Sequence, residues 1–231
     1  MFIKICGITN EEDALLATAL DADALGFVFA PGSPRQVHAD TVRDILKRLP
    51  REIHTVGVFR NERKERVVDI VSRTGLHGAQ LHGSESVDDV QWIHERVQFV
   101  IRAYAAGNPA LATARETGAD VILVDSPTPG AGKVFDWQLA EGAPSGMRIL
   151  LAGGLTGANV GDAIRLVRPW GVDVSTGVEE RPGRKDAKKL REFVEAARAA
   201  GAEVAPEPAI DLTLDGDVAG VSRPWDWQID G

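Results

Sequence analysis

The feature that most constrains this chain is an alternation of short apolar runs with amphipathic stretches, repeated eight times. The runs Phe2–Cys6, Ala24–Phe29, Ile53–Phe59, Gly78–His82, Val97–Tyr104, Asp120–Asp125, Arg148–Ala152 and Gly171–Ser175 have strand length, and their starts lie roughly 20 to 30 residues apart, about one βα unit each. Helical periodicity fills most of the gaps, over Glu11–Leu20, Asp40–Leu49, Glu62–Arg73, Val87–Glu95, Pro109–Thr117, Gly157–Val167 and Lys185–Ala200. After the sixth run only a short helical stretch near Asp136–Leu139 is available. Near-continuous apolar strands separated by helices predict a parallel sheet covered by helices. Eight units in about 200 residues fit a single-domain α/β fold, a small (β/α)8 TIM barrel, better than an open doubly wound sheet. Asn10, Asp40 and Ser86 are expected to cap helix N-termini, and Gly75, Gly118 and Gly201 to close helices.

Composition narrows the function. The 231 residues are 44% apolar and 26% charged, which is globular rather than disordered. A net charge of −8 argues against a general nucleic-acid partner. No run approaches the roughly 20 apolar residues of a membrane span. The first residues lead straight into apparent structure with no signal-peptide pattern. A single cysteine excludes an intrachain disulfide, and the five scattered histidines lack metal-ligand spacing. The expectation is a soluble, cytoplasmic protein, a monomer or homodimer, with no metal. Residues 205–231 break the pattern as an acidic extension carrying Trp225 and Trp227, and leave both docking and fraying open.

Alternation along the strands places polar groups at the carboxyl rim. Phe2, Lys4 and Cys6 share one face of the first strand, Gly78, Gln80 and His82 of the fourth, Val121, Leu123 and Asp125 of the sixth, and Asp173 and Ser175 of the eighth. In a barrel, that rim is where chemistry sits. Two glycine-bearing loops follow strands seven and eight, around Gly153-Gly154 and Ser175-Thr176-Gly177, the usual slots of a barrel phosphate site. Gly130-Ala131-Gly132-Lys133 is not a P-loop, because Val134 stands where a Ser or Thr must bind magnesium.

The motifs Lys4-Ile5-Cys6-Gly7-Ile8-Thr9, Gly26-Phe27-Val28-Phe29 with Ser33-Pro34-Arg35, Val56-Gly57-Val58-Phe59, Gln80-Leu81-His82-Gly83, Phe135-Asp136-Trp137, Leu151-Ala152-Gly153-Gly154-Leu155 and Gly171-Val172-Asp173-Val174-Ser175-Thr176-Gly177-Val178-Glu179 occur in one order. Together they resemble phosphoribosylanthranilate isomerase of tryptophan biosynthesis, over roughly residues 2–200. The resemblance implies a (β/α)8 barrel that needs no metal or organic cofactor. It also implies an Amadori rearrangement of N-(5-phosphoribosyl)anthranilate to 1-(2-carboxyphenylamino)-1-deoxyribulose 5-phosphate. By the same resemblance Cys6 is the general base, Asp125 the general acid, Arg35 the contact to the anthranilate carboxylate, and Gly153, Gly154, Ser175, Thr176 and Gly177 the phosphate loops. Gln80, His82 and Asp173 are further candidate substrate contacts. A base working near neutral pH calls for a thiol pKa lowered from about 8.5. Lys4 either supplies that field or forms an interior ion pair.

Two other readings compete. The related aminoaldose isomerase of histidine biosynthesis uses an Asp where this chain has Cys6, and its substrate carries two phosphates. A non-enzymatic phosphate-binding module would have no need of Cys6, Asp125 and Arg35 together. The resemblance departs at residues 126–133, where Ala131 stands in an otherwise glycine-rich loop, and it ends before residue 205.

Overall fold

The computed structural model describes residues 1–126 and 146–204. The expectations for Asp136–Leu139, for most of the 126–133 loop and for the extension beyond residue 204 lie outside the described residues.

Eight parallel strands close into a barrel in sequence order. They are β1 (Phe2–Cys6), β2 (Ala24–Val28), β3 (His54–Phe59), β4 (Gly78–Leu81), β5 (Phe99–Ala105), β6 (Val121–Asp125), β7 (Arg148–Leu151) and β8 (Gly171–Val174). Closure is made by β1 against β8, with Phe2 opposite Gly171 and Ile5 opposite Val174. Helices α1 (Glu11–Ala19), α2 (Ala39–Leu46), α3 (Lys64–Thr74), α4 (Val87–His94), α5 (Val160–Val167) and α6 (Ala187–Glu203) alternate with the strands. A short hairpin, β9 (Glu179–Arg181) and β10 (Arg184–Lys185), precedes α6.

The period-two pattern sorts the side chains into two cores. Ile3, Ile5, Leu25, Phe27, Leu81, Val100, Ile122 and Val124 face the helices. Val56, Phe99, Ile101, Ala103, Val121, Leu123, Leu150 and Ala152 fill the barrel. At the amino-terminal end Phe2 stacks on Trp170, ring centroids 4.3 Å apart, with His54 and Phe99 beside them. The barrel is a packed core closed at that end, so a small molecule approaches from the carboxyl rim.

Local chemistry explains most boundaries. Asn10 and Ser86 cap α1 and α4, their side chains accepting from the backbone N–H of Asp13 and Asp89. Gly75 and Gly118 end their segments in the left-handed conformation. Four expectations are corrected. The helix placed at Asp40 begins at Ala39, with no side-chain cap on His38. Pro109–Thr117 winds as a 3-10 helix rather than an α-helix. Gly201 lies inside α6, not at its end, because a Cβ there would stand 2.5 Å from the Met1 Cβ. Lys185, expected to start the last helix, belongs to β10, and Asp186 caps α6 by accepting from the N–H groups of Lys188 and Lys189.

Candidate active site

Strand β1 carries two polar residues into the barrel, and β2 makes room for them. Lys4 is fully buried, and its Nζ donates to Oδ1 of Asp173 at 2.7 Å across the β1–β8 seam. The interior ion pair is thus what Lys4 forms, and its charge also pulls on the neighbouring Cys6 thiol. Gly26 faces this pair: a Cβ there would lie 2.9 Å from Sγ of Cys6 and 3.1 Å from Nζ of Lys4.

The free-state electrostatics of the thiol differ from the sequence expectation. Burial pushes the Cys6 pKa up, and the neighbouring Asp173 adds to it, against the downward pull of Lys4 and Lys185. The sequence indicates a cation beside Cys6 but does not show how completely the rim covers the sulfur. Burial also opposes the charge on Lys4, yet Asp173 and Cys6 together hold its pKa above the usual value.

On the far wall Asp125 ends β6. Its Oδ1 accepts from the N–H of Ser126 at 2.7 Å, and its Oδ2 lies 3.4 Å from Nε2 of His82. The Gln80 carboxamide donates to Nδ1 of His82 at 3.0 Å, which leaves the neutral ring's proton on Nε2, facing the carboxyl group. Gln80 and His82 are therefore brought to Asp125, as three groups in one line.

Asp125, Gly153, Gly154, Asp173, Ser175, Thr176 and Gly177 line a single open pocket, so both glycine loops and the carboxyl group border the same space. The β7 loop is pinned by Asn159, which accepts from the N–H of Thr156 and donates to the carbonyl of Gly154. Gly177 opens its loop against that one, since a Cβ there would fall 1.8 Å from the carbonyl oxygen of Leu155. The Ser175 hydroxyl is buried and without a partner among the described residues.

Arg35 does not stand free at the rim. Its Nε and Nη2 donate to the two carboxylate oxygens of Glu179 at 2.8 and 2.7 Å. Glu179 in turn accepts from Lys185 at 3.2 Å, and Lys185 also donates to the carbonyls of Cys6 and Ser175. Sequence reasoning gave Glu179 and Lys185 no role. Glu179 looked like the end of a loop motif and Lys185 like a surface helix residue; only the hairpin turns both inward. Among the described residues no cluster of His, Cys, Asp and Glu forms a metal-holding group, and no helix is long and apolar enough to cross a membrane.

The sequence model of N-(5'-phosphoribosyl)anthranilate (PRA) isomerase matches residues 3–196. The chain belongs to this family. N-(5'-phosphoribosyl)anthranilate isomerase of Trichlorobacter lovleyi is 47% identical over 206 residues, covering 86% of this chain and 98% of that protein. A crystal structure of phosphoribosyl anthranilate isomerase from Thermus thermophilus matches with a TM-score of 0.82 at 38% identity, over 86% of this chain and 99% of that one. A crystal structure of the isomerase in complex with reduced 1-(o-carboxyphenylamino)-1-deoxyribulose 5-phosphate matches with a TM-score of 0.77 at 39% identity, over 86% and 99% of the two chains. The resemblance read from the motifs is thereby established, and the chain is an isomerase built on the TIM barrel.

Proposed function

We propose that this isomerase converts N-(5-phosphoribosyl)anthranilate to 1-(2-carboxyphenylamino)-1-deoxyribulose 5-phosphate, an Amadori rearrangement of tryptophan biosynthesis, in the cytoplasm and without a cofactor. Residues 1–204 are the catalytic unit. The observation that carries this reading is the placement of a thiol beside an ammonium group and a carboxyl group beside His82 on the inner face of one rim. Of these groups the Asp125 carboxyl lines a pocket bordered by the two glycine loops, together with Asp173, the ion-pair partner of Lys4.

Asp125 gives a proton to the furanose ring oxygen; the ring C–O bond breaks as the aniline nitrogen's lone pair forms the C1=N bond. Cys6, as thiolate, then takes the proton from ribose C2, and the C2–H electrons form C1=C2 while the iminium electrons return to nitrogen. Ketonisation moves a proton to C1 and leaves the carbonyl at C2. A thiol kept neutral by burial suits this order. The cationic iminium arises close to the sulfur only after ring opening, and its positive charge then favours loss of the thiol proton to solvent, which gives the thiolate when it is needed. His82, with its Nε2–H towards Asp125, stabilises the carboxylate left by the first step and receives its orientation from Gln80. Lys4 and Asp173 hold the base in place, and Asp173 contacts the ribose. Arg35 binds the anthranilate carboxylate, which a planar fork does better than an ammonium. Gly153, Gly154, Ser175, Thr176 and Gly177 hold the phosphate with backbone N–H groups and hydroxyls.

Loss of phosphoribosylanthranilate fluorescence on adding the protein, together with rescue of a tryptophan auxotroph lacking this isomerase, tests the assignment. Rescue by the Cys6→Ser variant would overturn the base, and no turnover by the unaltered chain would overturn the reaction.

A further inference from the structure

The carboxylate end of the site holds a chain of three charges, half-buried Arg35 with buried Glu179 and Lys185, and the last two have no part in the steps above. Glu179 is fixed from four directions: Nε and Nη2 of Arg35, Nζ of Lys185, and the N–H of Gly183 at 3.3 Å all donate to it. Its side chain is 4% exposed, so it is held as part of the wall and is not a carboxylate waiting to be exchanged. Two cations face one anion, which leaves one positive charge over for an incoming anion.

A guanidinium has two edges able to take a carboxylate side-on, Nε with one terminal nitrogen or the two terminal nitrogens together. Glu179 occupies the first. The second, Nη1 with Nη2, has one contact among the described residues, a long one of 3.3 Å from Nη2 to the Thr176 hydroxyl, which lies on the pocket. The stem of Arg35 is fixed as well: it crosses Gly7, which adopts φ +76°, and a Cβ there would stand 2.6 Å from Cδ of Arg35. The guanidinium is thus pinned at its stem and along one edge, while its other edge reaches Thr176, a residue of the pocket lining.

We propose that Glu179 is the positioning residue of this subsite, presenting the terminal edge of Arg35 to the pocket and so setting the preference for substrates whose aromatic ring bears a carboxylate. This rests on the role given above to Arg35. Lys185 compensates the charge of Glu179 while its other two bonds tie the ends of β1 and β8, so the position of Arg35 is referred to the strand that bears Cys6.

Calorimetric binding of the reduced product analogue, with and without the ring carboxylate, to the unaltered chain and to Glu179→Gln tests the proposal. The carboxylated analogue is expected to bind about tenfold more weakly to Glu179→Gln, while the carboxylate-free analogue changes by less than about threefold. Glu179→Asp keeps the charge, and hence the fold if Gln does not, but withdraws the carboxylate by one methylene; it should show the same selective loss to a smaller degree. Equal loss for both analogues, no loss, or tighter binding of the carboxylated analogue would overturn the proposal. Arg35→Ala separates the two levels. If it leaves the carboxylate preference intact, the role of Arg35 fails; if it abolishes the preference while both Glu179 variants retain it, only the role of Glu179 fails.

Discussion

Gly26 on β2 and Cys6 on β1 are paired across the sheet, and the missing side chain of the one is the space that holds the sulfur of the other. A methyl group at Gly26 would push on both Sγ of Cys6 and Nζ of Lys4. Gly26→Ala is expected to lower kcat/KM about 100-fold through misplacement of the base, at a stability cost of about 1–3 kcal/mol from overpacking. Initial rates and urea unfolding measured on one preparation check this; a variant of unaltered activity would show that the thiol position does not matter.

Replacement of either proton-transfer group should remove the catalytic step and spare the fold. Cys6→Ser and Asp125→Asn should each cost about 10²–10⁴ in kcat, with far-ultraviolet circular dichroism unchanged. His82→Asn should give a smaller loss and alter the pH profile of kcat, because it leaves the acid in place but removes the N–H that faces it.

The ionisation of Cys6 can be read by alkylation. Burial raises its pKa, so the rate with iodoacetamide in the free protein should climb only as pH passes above the ordinary thiol value of about 8.5. Lys4→Met removes the pull of the ammonium and should move the profile further towards alkali. A profile centred below the ordinary value would contradict this account.

His54 makes a separate claim on stability. Burial first, and His77 second, hold its pKa down to about 4 from an ordinary 6.5. Since the unfolded chain takes up the proton at the higher value, stability from this group is complete above pH 6.5 and declines as pH falls towards about 4. Urea unfolding at a series of pH values, compared with His54→Gln, should show the dependence weakened in the variant.

The two glycine loops meet where Gly177 passes the carbonyl of Leu155. Inorganic phosphate is expected to raise the Tm of the unaltered protein, and Gly177→Ala should separate the loops and abolish that rise. Phosphate stabilisation retained in the variant would move the phosphate elsewhere.

The fold was legible because strand and helix each imposed their own period. The apolar runs were correct to within a residue or two, and the faces carrying Cys6, Asp125, Gln80 with His82, and Asp173 followed from alternation alone. Three things were not legible, each for a tertiary reason. Burial of the thiol depends on seven other strands closing around it. The glycine at position 201 serves the packing of Met1, which no local pattern encodes. Lys185 continues smoothly into a helical pattern, and only its docking against the ends of β1 and β8 shows that it belongs to the site.

The seam between β1 and β8 joins residues separated by most of the chain. During synthesis the first strand emerges early with one edge unsatisfied, and its partner is made only when about three-quarters of the 231 residues have been joined. Any product cut short before Gly171 therefore keeps an open sheet edge and an unneutralised Lys4, which marks it for aggregation or for the cell's proteases.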